Sequence, residues 1–312
     1  MAMHWMKQPF AVLLLSVIFL ASAASASAEL LGAIGGIGGV EEETSSKPLF
    51  TISGEALFKE GSGGVGLAYG YTRFTRLFGE KIEKPSKEFN LQTEDFSRAL
   101  ESTTRVLFIG YGVTSKLTVG AGLPLINAGS RLPSSPTGPA VEQKSDGIGN
   151  ISVEGKYQFS KNPNLAFHLN AQLPSGYDVG ADYLQVEADL AYSVRVDQTS
   201  FHLQGGYNWT GADRQDRARL DAVVANMAVV RNVGGNFAAF LELNYQQLTG
   251  TDDLEGVVYI DPPTQKSLDL TPGFNIKIKD NINFATAVRI SLVNDFAAGY
   301  DMSYLFVIGT VF

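Results

Sequence analysis

The chain has 312 residues, a formal net charge of −8 and no cysteine. The acidic balance argues against a nucleic-acid binder, which carries a basic footprint. The lack of cysteine excludes disulfides, a thiol nucleophile and a lipid-bearing N-terminal cysteine.

Residues 1–28 read as a secretory signal peptide. Lys7 is the only formal charge before an apolar run from Phe10 to Ala21, and Ala26-Ser27-Ala28 forms an A-x-A cleavage site before Glu29. The apolar run is short for a membrane-spanning helix, which needs about 20 residues. No later run is long and apolar enough for one, so an exported chain of this kind is either periplasmic or secreted, or a barrel in the outer membrane. The 33 glycines, 12 tyrosines and 19 phenylalanines suit the barrel, with glycine at bends and close strands and aromatics at the interfaces.

Residues 29–48 show no strand period. Their glycines at 35, 36, 38 and 39 lack the strand–turn–helix context of a phosphate-binding loop. They are expected to form a flexible periplasmic segment, with a plug folded into the lumen as the alternative. Residues 49–312 are expected to form the barrel.

From Leu49 onward, strands of about ten residues, the length of a tilted membrane strand, are separated by turn signals. A first strand is predicted where Thr51, Ser53 and Glu55 alternate with Ile52, Gly54 and Ala56. A second follows where Val65, Leu67, Tyr69 and Tyr71 alternate with Gly64, Gly66, Ala68 and Gly70. A weaker strand is predicted at 87–97, and a hairpin at 103–113 and 116–123 turns at Thr114-Ser115.

The middle of the chain alternates most clearly. Ile151, Val153, Tyr157 and Phe159 oppose Asn150, Glu154, Lys156 and Gln158. Leu165, Phe167, Leu169 and Leu173 oppose His168, Asn170 and Gln172. Leu184, Val186, Leu190, Tyr192 and Val194 oppose Glu187, Asp189, Ser193 and Arg195. Phe201, Leu203, Tyr207 and Trp209 oppose His202, Gln204 and Asn208. Leu241, Leu243 and Tyr245 oppose Glu242, Asn244 and Gln246; Phe284, Val288, Ile290 and Leu292 oppose Asn283, Arg289 and Ser291. Charge on a lipid face costs about 2–4 kcal/mol at the midplane for Arg or Lys. The polar set, with Lys277, is therefore predicted to line the interior and the apolar set to face lipid.

Connections alternate in length. Short turns fall at Thr114-Ser115, Lys161-Asn162-Pro163, Asp197-Gln198, Gly234-Gly235 and Asp280-Asn281, and longer polar links lie between them. Short periplasmic turns and long external loops are the outer-membrane pattern. Parity requires an even number of strands; fourteen is predicted if 87–97 is a strand, with twelve as second choice. Tyr157, Phe159, Tyr192 and Phe312 then lie near periplasmic ends and Tyr207, Trp209, Tyr245 and Tyr304 near external ends, as two aromatic belts. Pro272 interrupts a predicted strand and calls for a bulge or gap. In the last strand Tyr304, Phe306, Ile308 and Phe312 share one face. An ending of this kind resembles the closing strand of bacterial outer-membrane barrels, which the barrel-assembly machinery reads.

Tyr111-Gly112-Val113-Thr114-Ser115-Lys116-Leu117, then Gly122-Leu123-Pro124, Gly147-Ile148-Gly149-Asn150 and Leu173-Pro174-Ser175-Gly176 resemble an outer-membrane β-barrel family named after phenol meta-cleavage pathway proteins. Asn150 stands where that family more often has Asp, and Ser175 where it has Thr. The resemblance implies an all-β, antiparallel up-and-down barrel. It also implies passage of small hydrophobic or aromatic compounds across the outer membrane.

Catalysis finds little support in the residues. His168 and His202 are the two histidines left after signal cleavage, and neither sits in a spaced ligand set, so no metal or cofactor is expected. Outer-membrane phospholipases place a His-x-Ser pair toward lipid, whereas Ser200-x-His202 runs in the reverse order and faces inward. The external acidic segment at 251–255 has oxygen ligands for calcium but not the spacing of a dedicated loop. The expected function is a channel or transporter for small molecules, with a non-conducting structural or adhesive barrel as the alternative. The expected partners are outer-membrane lipid and lipopolysaccharide, the latter through Arg214 and Arg217.

Overall fold

The computed structural model describes residues 47–54, 58–77, 80–81, 100–133, 140–175, 183–211, 221–249, 266–294 and 298–312. Every regular element among them is a strand: β1 (Gly63–Leu77), β2 (Glu80–Lys81), β3 (Leu100–Gly112), β4 (Leu117–Pro133), β5 (Ala140–Ile148), β6 (Ile151–Lys161), β7 (Asn164–Leu173), β8 (Gln185–Val196), β9 (Thr199–Thr210), β10 (Ala222–Gly234), β11 (Phe237–Leu248), β12 (Lys266–Lys279), β13 (Ile282–Asn294) and β14 (Ala298–Val311). All pairings are antiparallel, and β1 pairs with β3 and β4 with β6 across the strands between them. The sheet closes where β14 meets β1, from Gly64 opposite Val311 to Leu77 opposite Ala298. Closure leaves the wall no free edge, which is what a strand structure in lipid requires.

Two of the fourteen strands, β2 and β5, lie outside the ring, so twelve form the wall. The strand β4 is long enough to pair with β6 along its first half and with β5 along its second. The pairings slip by one residue at Gly149-Asn150, so β5 and β6 read as one strand with an offset. The fold class is the expected barrel, and its wall has the twelve strands held as second choice. The predicted strand at Thr51 is not part of that wall; residues 51–54 lie inside the barrel instead. Because β1 pairs directly with β3 over eleven positions, from Gly63–Tyr111 to Arg73–Glu101, no strand fits between them. Residues 87–97 themselves fall outside the described residues.

The five predicted short turns all appear. They lie at one end of the barrel together with the start of β1 and the end of β14, where Gly63 and Phe312 exchange two backbone hydrogen bonds of 2.9 Å. Asp197 and the Gly234-Gly235 pair supply the positive φ these tight reversals need. Pro272 is accommodated as a gap. On the β13 side the register runs Leu270–Ile290, then Gly273–Ala287, unchanged in phase but without partners for Thr271 and Pro272.

Side chains alternate across the wall as the pleat dictates. Leu107, Val153, Leu169, Leu190, Leu203 and Leu241 are exposed on the outside. Glu154, His168, Asp189, Gln204 and Glu242 are buried inside. The interior is not uniformly wet, however. Ala68, Val106, Phe108, Phe240, Ala285, Ala287, Leu305 and Val307 also point inward and form one buried apolar cluster with Leu49, Phe50 and Phe58. This corrects the expectation that apolar residues face only lipid. Inward glycines make room for the rings: a Cβ at Gly66 would strike the Phe108 ring, and one at Gly273 the Phe240 ring. Gly273→Val is expected to cost about 1–3 kcal/mol through overpacking. The check is the temperature at which the detergent-solubilised barrel shifts its gel migration, with Phe240→Leu in the same chain restoring part of the loss.

Candidate functional site

The site is the lumen, and its shape comes from what each strand turns inward. The strands β6 to β9 contribute polar side chains, while β1, β3, β13 and β14 contribute mostly small or apolar ones. In the half nearer the short turns, the segment of residues 47–54 crosses between these two sectors.

That segment is held chiefly by its backbone. The Glu242 carboxylate, on β11 and 0 % exposed, accepts from Leu49 N–H at 2.7 Å and Thr51 N–H at 2.7 Å. It also accepts from Phe50 N–H at 3.0 Å and the Thr51 hydroxyl at 2.9 Å. Next along, Ile52 N–H donates to Gln204 Oε1 at 2.9 Å and Gly54 N–H to Ser193 Oγ at 2.7 Å. Asn275 Nδ2 donates to the Lys47 carbonyl at 2.8 Å. The side chains of Leu49 and Phe50 enter the apolar cluster, and the Arg289 guanidinium lies 4.0 Å above the Phe50 ring. Hydrogen bonds to a charged acceptor are roughly twice as strong as neutral ones, so Glu242 is the principal polar anchor.

A second network lies on the neighbouring wall. His168, on β7, places Nδ1 3.0 Å from Asp189 Oδ2 and Nε2 3.1 Å from Glu154 Oε2. Both ring nitrogens thus face carboxylates, and only the imidazolium donates from both. Space for these carboxylates comes from glycine: a Cβ at Gly206 would overlap Asp189, and one at Gly120 would lie 2.6 Å from Glu154 Oε1. Gln204 links the networks, since its Nε2 donates to Asp189 Oδ1 at 3.0 Å while its Oε1 holds Ile52.

Asn150, Lys156, Asn170, Gln172 and Asn244 are buried on the inward face, and Asn150 Oδ1 accepts from Ser175 at 3.3–3.4 Å. Glu187 is partly buried opposite Asn170 and Asn208. Arg289 is buried with its Nε 4.0 Å from Asp269, which also accepts from Tyr300 Oη at 2.8 Å. Two charges lie at the rim instead. Arg195 is exposed and donates to the Asp197 carbonyl at 3.0 Å, and Lys277 pairs with exposed Asp280 at 3.4 Å. On the outer face Tyr304, Phe306, Ile308 and Phe312 are all exposed.

His202 Nδ1 meets Ser193 Oγ at 2.7 Å rather than Ser200, and Ser193 and His202 are each about 1 % exposed. Among the described residues no group of three or more His, Asp or Glu is arranged to hold a metal ion. The segments at 251–255 and 213–217 lie outside the described residues. The sequence reading missed Ser193 as a contact, and it missed the strap of residues 47–54. The available signal was the string of inward glycines and apolar residues on β1, β3 and β14, which needs an apolar object in the lumen to cover it.

The chain's fold is that of outer-membrane channels: an outer membrane channel from Pseudomonas putida F1 aligns with a TM-score of 0.61 and 15% identity, over 83% of this chain and 97% of that one. The toluene transporter TbuX of Ralstonia pickettii aligns at 13% identity with a TM-score of 0.45, over 84% and 92%. The family model described as "Putative MetA-pathway of phenol degradation" matches residues 83–306, and the chain belongs to that family. No curated protein matches the sequence.

Proposed function

We propose that this outer-membrane barrel is a channel for small hydrophobic or aromatic molecules, which pass by diffusion without a bond being made or broken. One observation carries the solute class. The inner wall bears an apolar stripe through most of its height, from Phe108, Val106 and Ala68 near the short turns to Ile126, Ala128 and Phe74 toward the long links. An apolar solute leaving water gains about 25 cal/mol per Å² of buried surface. A stripe of this kind therefore favours its entry over that of a sugar of equal size. The family's association with phenol degradation agrees with this reading.

The proposal extends to export. Residues 1–28 are removed after Ala28, the short turns face the periplasm, and the exposed row Tyr304, Phe306, Ile308 and Phe312 is offered to the assembly machinery. Lipopolysaccharide contacts the long links. Proteoliposomes holding the purified barrel should take up toluene or phenol at a rate above empty vesicles and above that for glucose. The filled short-turn half of the lumen favours a second reading, a structural barrel that conducts nothing. Equal uptake with and without the protein, together with silent planar bilayers, would select that reading.

A further inference from the structure

We propose that the outer wall of the barrel binds the phosphates of lipid A, the acylated anchor of lipopolysaccharide, at a site centred on Arg105 of β3. The site is on the lipid face and not in the lumen. It rests on the orientation given above, with the short turns in the periplasm, and does not depend on conduction. Between the two aromatic belts, Arg105 is the one formally charged side chain among the described residues that face lipid. It is exposed, alternates with outward Leu107 and Ile109, and has no ion pair among the described residues. A charge on a lipid face costs most at the midplane and little at the interface, so depth decides what it meets. Arg105 lies six residues from Tyr111, which is exposed at the short-turn end of β3. At about 3.4 Å per residue and a tilt near 40° that is about 16 Å of height, in the outer half of an apolar band about 25 Å tall. One row further out, Tyr71 and Tyr304 meet at 6.4 Å in the outer belt. A guanidinium extended toward that belt ends among the headgroups of the outer leaflet.

The surroundings of Arg105 fit a phosphate. Its cross-strand partners are Tyr69 on β1 and Leu125 on β4, and exposed Asn127 lies diagonally beyond Leu125. Diagonal neighbours on a sheet are within reach of long side chains, so the Tyr69 hydroxyl and the Asn127 amide add donors beside the guanidinium. The carboxylates on this face are answered by other groups. Glu101 accepts from the Tyr71 hydroxyl and stands opposite Arg73, and Asp146, two strands away, shares its face with Lys144. The planar fork of Arg105 is thus left for an anion from outside the chain, and it matches phosphate with two parallel bonds. On the short-turn side, Leu107, Ile109, Leu125 and Val119 form an exposed apolar surface for acyl chains. Phosphate above and acyl chain below is the order in which lipid A presents itself to the wall.

The test titrates the full barrel in detergent micelles with diphosphorylated lipid A and with its dephosphorylated counterpart. Arg105→Leu should weaken binding of the phosphorylated form by about tenfold or more, the strength of hydrogen bonds between charged groups. Arg105→Lys should be intermediate, since it keeps the charge and loses the fork. The dephosphorylated form should bind all three alike. Without added lipid A, Arg105→Leu should shift its gel migration at a temperature no lower than the unaltered chain, whereas an arginine serving only the fold would give a lower one. Barrels purified from outer membranes should retain lipid A, read by the mass of the intact complex, and Arg105→Leu should retain less. Equal affinity of Arg105→Leu and the unaltered chain for phosphorylated lipid A would overturn the site and leave the orientation standing. Retention of phosphatidylglycerol in place of lipid A would overturn it too. Labelling of Ser115→Cys in intact cells by a polymer-bearing maleimide would overturn the orientation, and the site with it; the absence of native cysteine makes that label specific.

Discussion

Replacing His168 by Leu is expected to destabilise the barrel by about 3–5 kcal/mol, the cost of removing one partner of a buried charge pair. The ring stands between Glu154 and Asp189 at 3.1 and 3.0 Å, with all three side chains buried. Without it, two carboxylates face each other across the β6–β8 wall. Lys156, cross-strand from His168 and itself buried, is the nearest remaining cation in the register. The expected readout is a lower midpoint for the heat- or urea-driven shift in gel migration. Adding Glu154→Gln and Asp189→Asn should recover most of the loss, because the cost lies in the stranded charges and not in the lost ring. If His168→Leu alone were neutral, the network would be hydrated and the ion pairs weak.

The outer face gives the second large effect. Leu203 is exposed near the middle of β9, between its register partners Tyr192 on β8 and Met227 on β10. Leu203→Arg should cost about 2–4 kcal/mol in a bilayer, as for cations at the midplane of other barrels. Gln204→Lys, one residue on but facing inward, should affect folding less and disturb the lumenal segment of residues 47–54 instead, since Gln204 holds Ile52. The comparison is made by equilibrium unfolding in lipid vesicles. Equal costs at 203 and 204 would mean that the two faces do not differ in solvent.

Much of this architecture was legible because β6 to β9 carry charge or amide groups on one face only. A period of two with charges in phase leaves one orientation in lipid. The tight turns were legible for a similar reason: pairs such as Asp280-Asn281 and Gly234-Gly235 are too short to do anything but reverse a strand. A tight turn also fixes the register across it, so Ser193 opposite His202 could be counted out from Asp197-Gln198, whereas His168 meets Asp189 across β7 and β8, which a long link joins.

The failures have physical causes too. Residues 51–54 alternate because an extended segment exposes its side chains alternately whether its N–H groups meet a strand or Glu242. Pattern alone cannot tell a wall strand from a strap. On β3, Val106 and Phe108 point inward while Leu107 and Ile109 point outward, so both faces are apolar and the alternation carries no direction. The same holds on β14 for Leu305 and Val307 against Phe306 and Ile308. A barrel strand that is apolar on both faces signals an apolar guest in the lumen, a clue visible only once the wall is known to be closed. The long polar link expected after the turn at Thr114-Ser115 instead contains the outer half of β4 and the strand β5 paired with it, and residues 140–148 have no membrane-like period to signal this.

The most direct measurement is a nitroxide scan of β7, with single cysteines introduced in turn at residues 165–173 of a chain that has none of its own. In lipid vesicles, collision with oxygen should be high at Phe167, Leu169 and Ala171 and low at His168, Asn170 and Gln172, with a period of two. A flat profile, or water-soluble relaxant reaching Phe167 and Leu169 as readily as the rim, would contradict a lipid-facing outer wall around a polar interior.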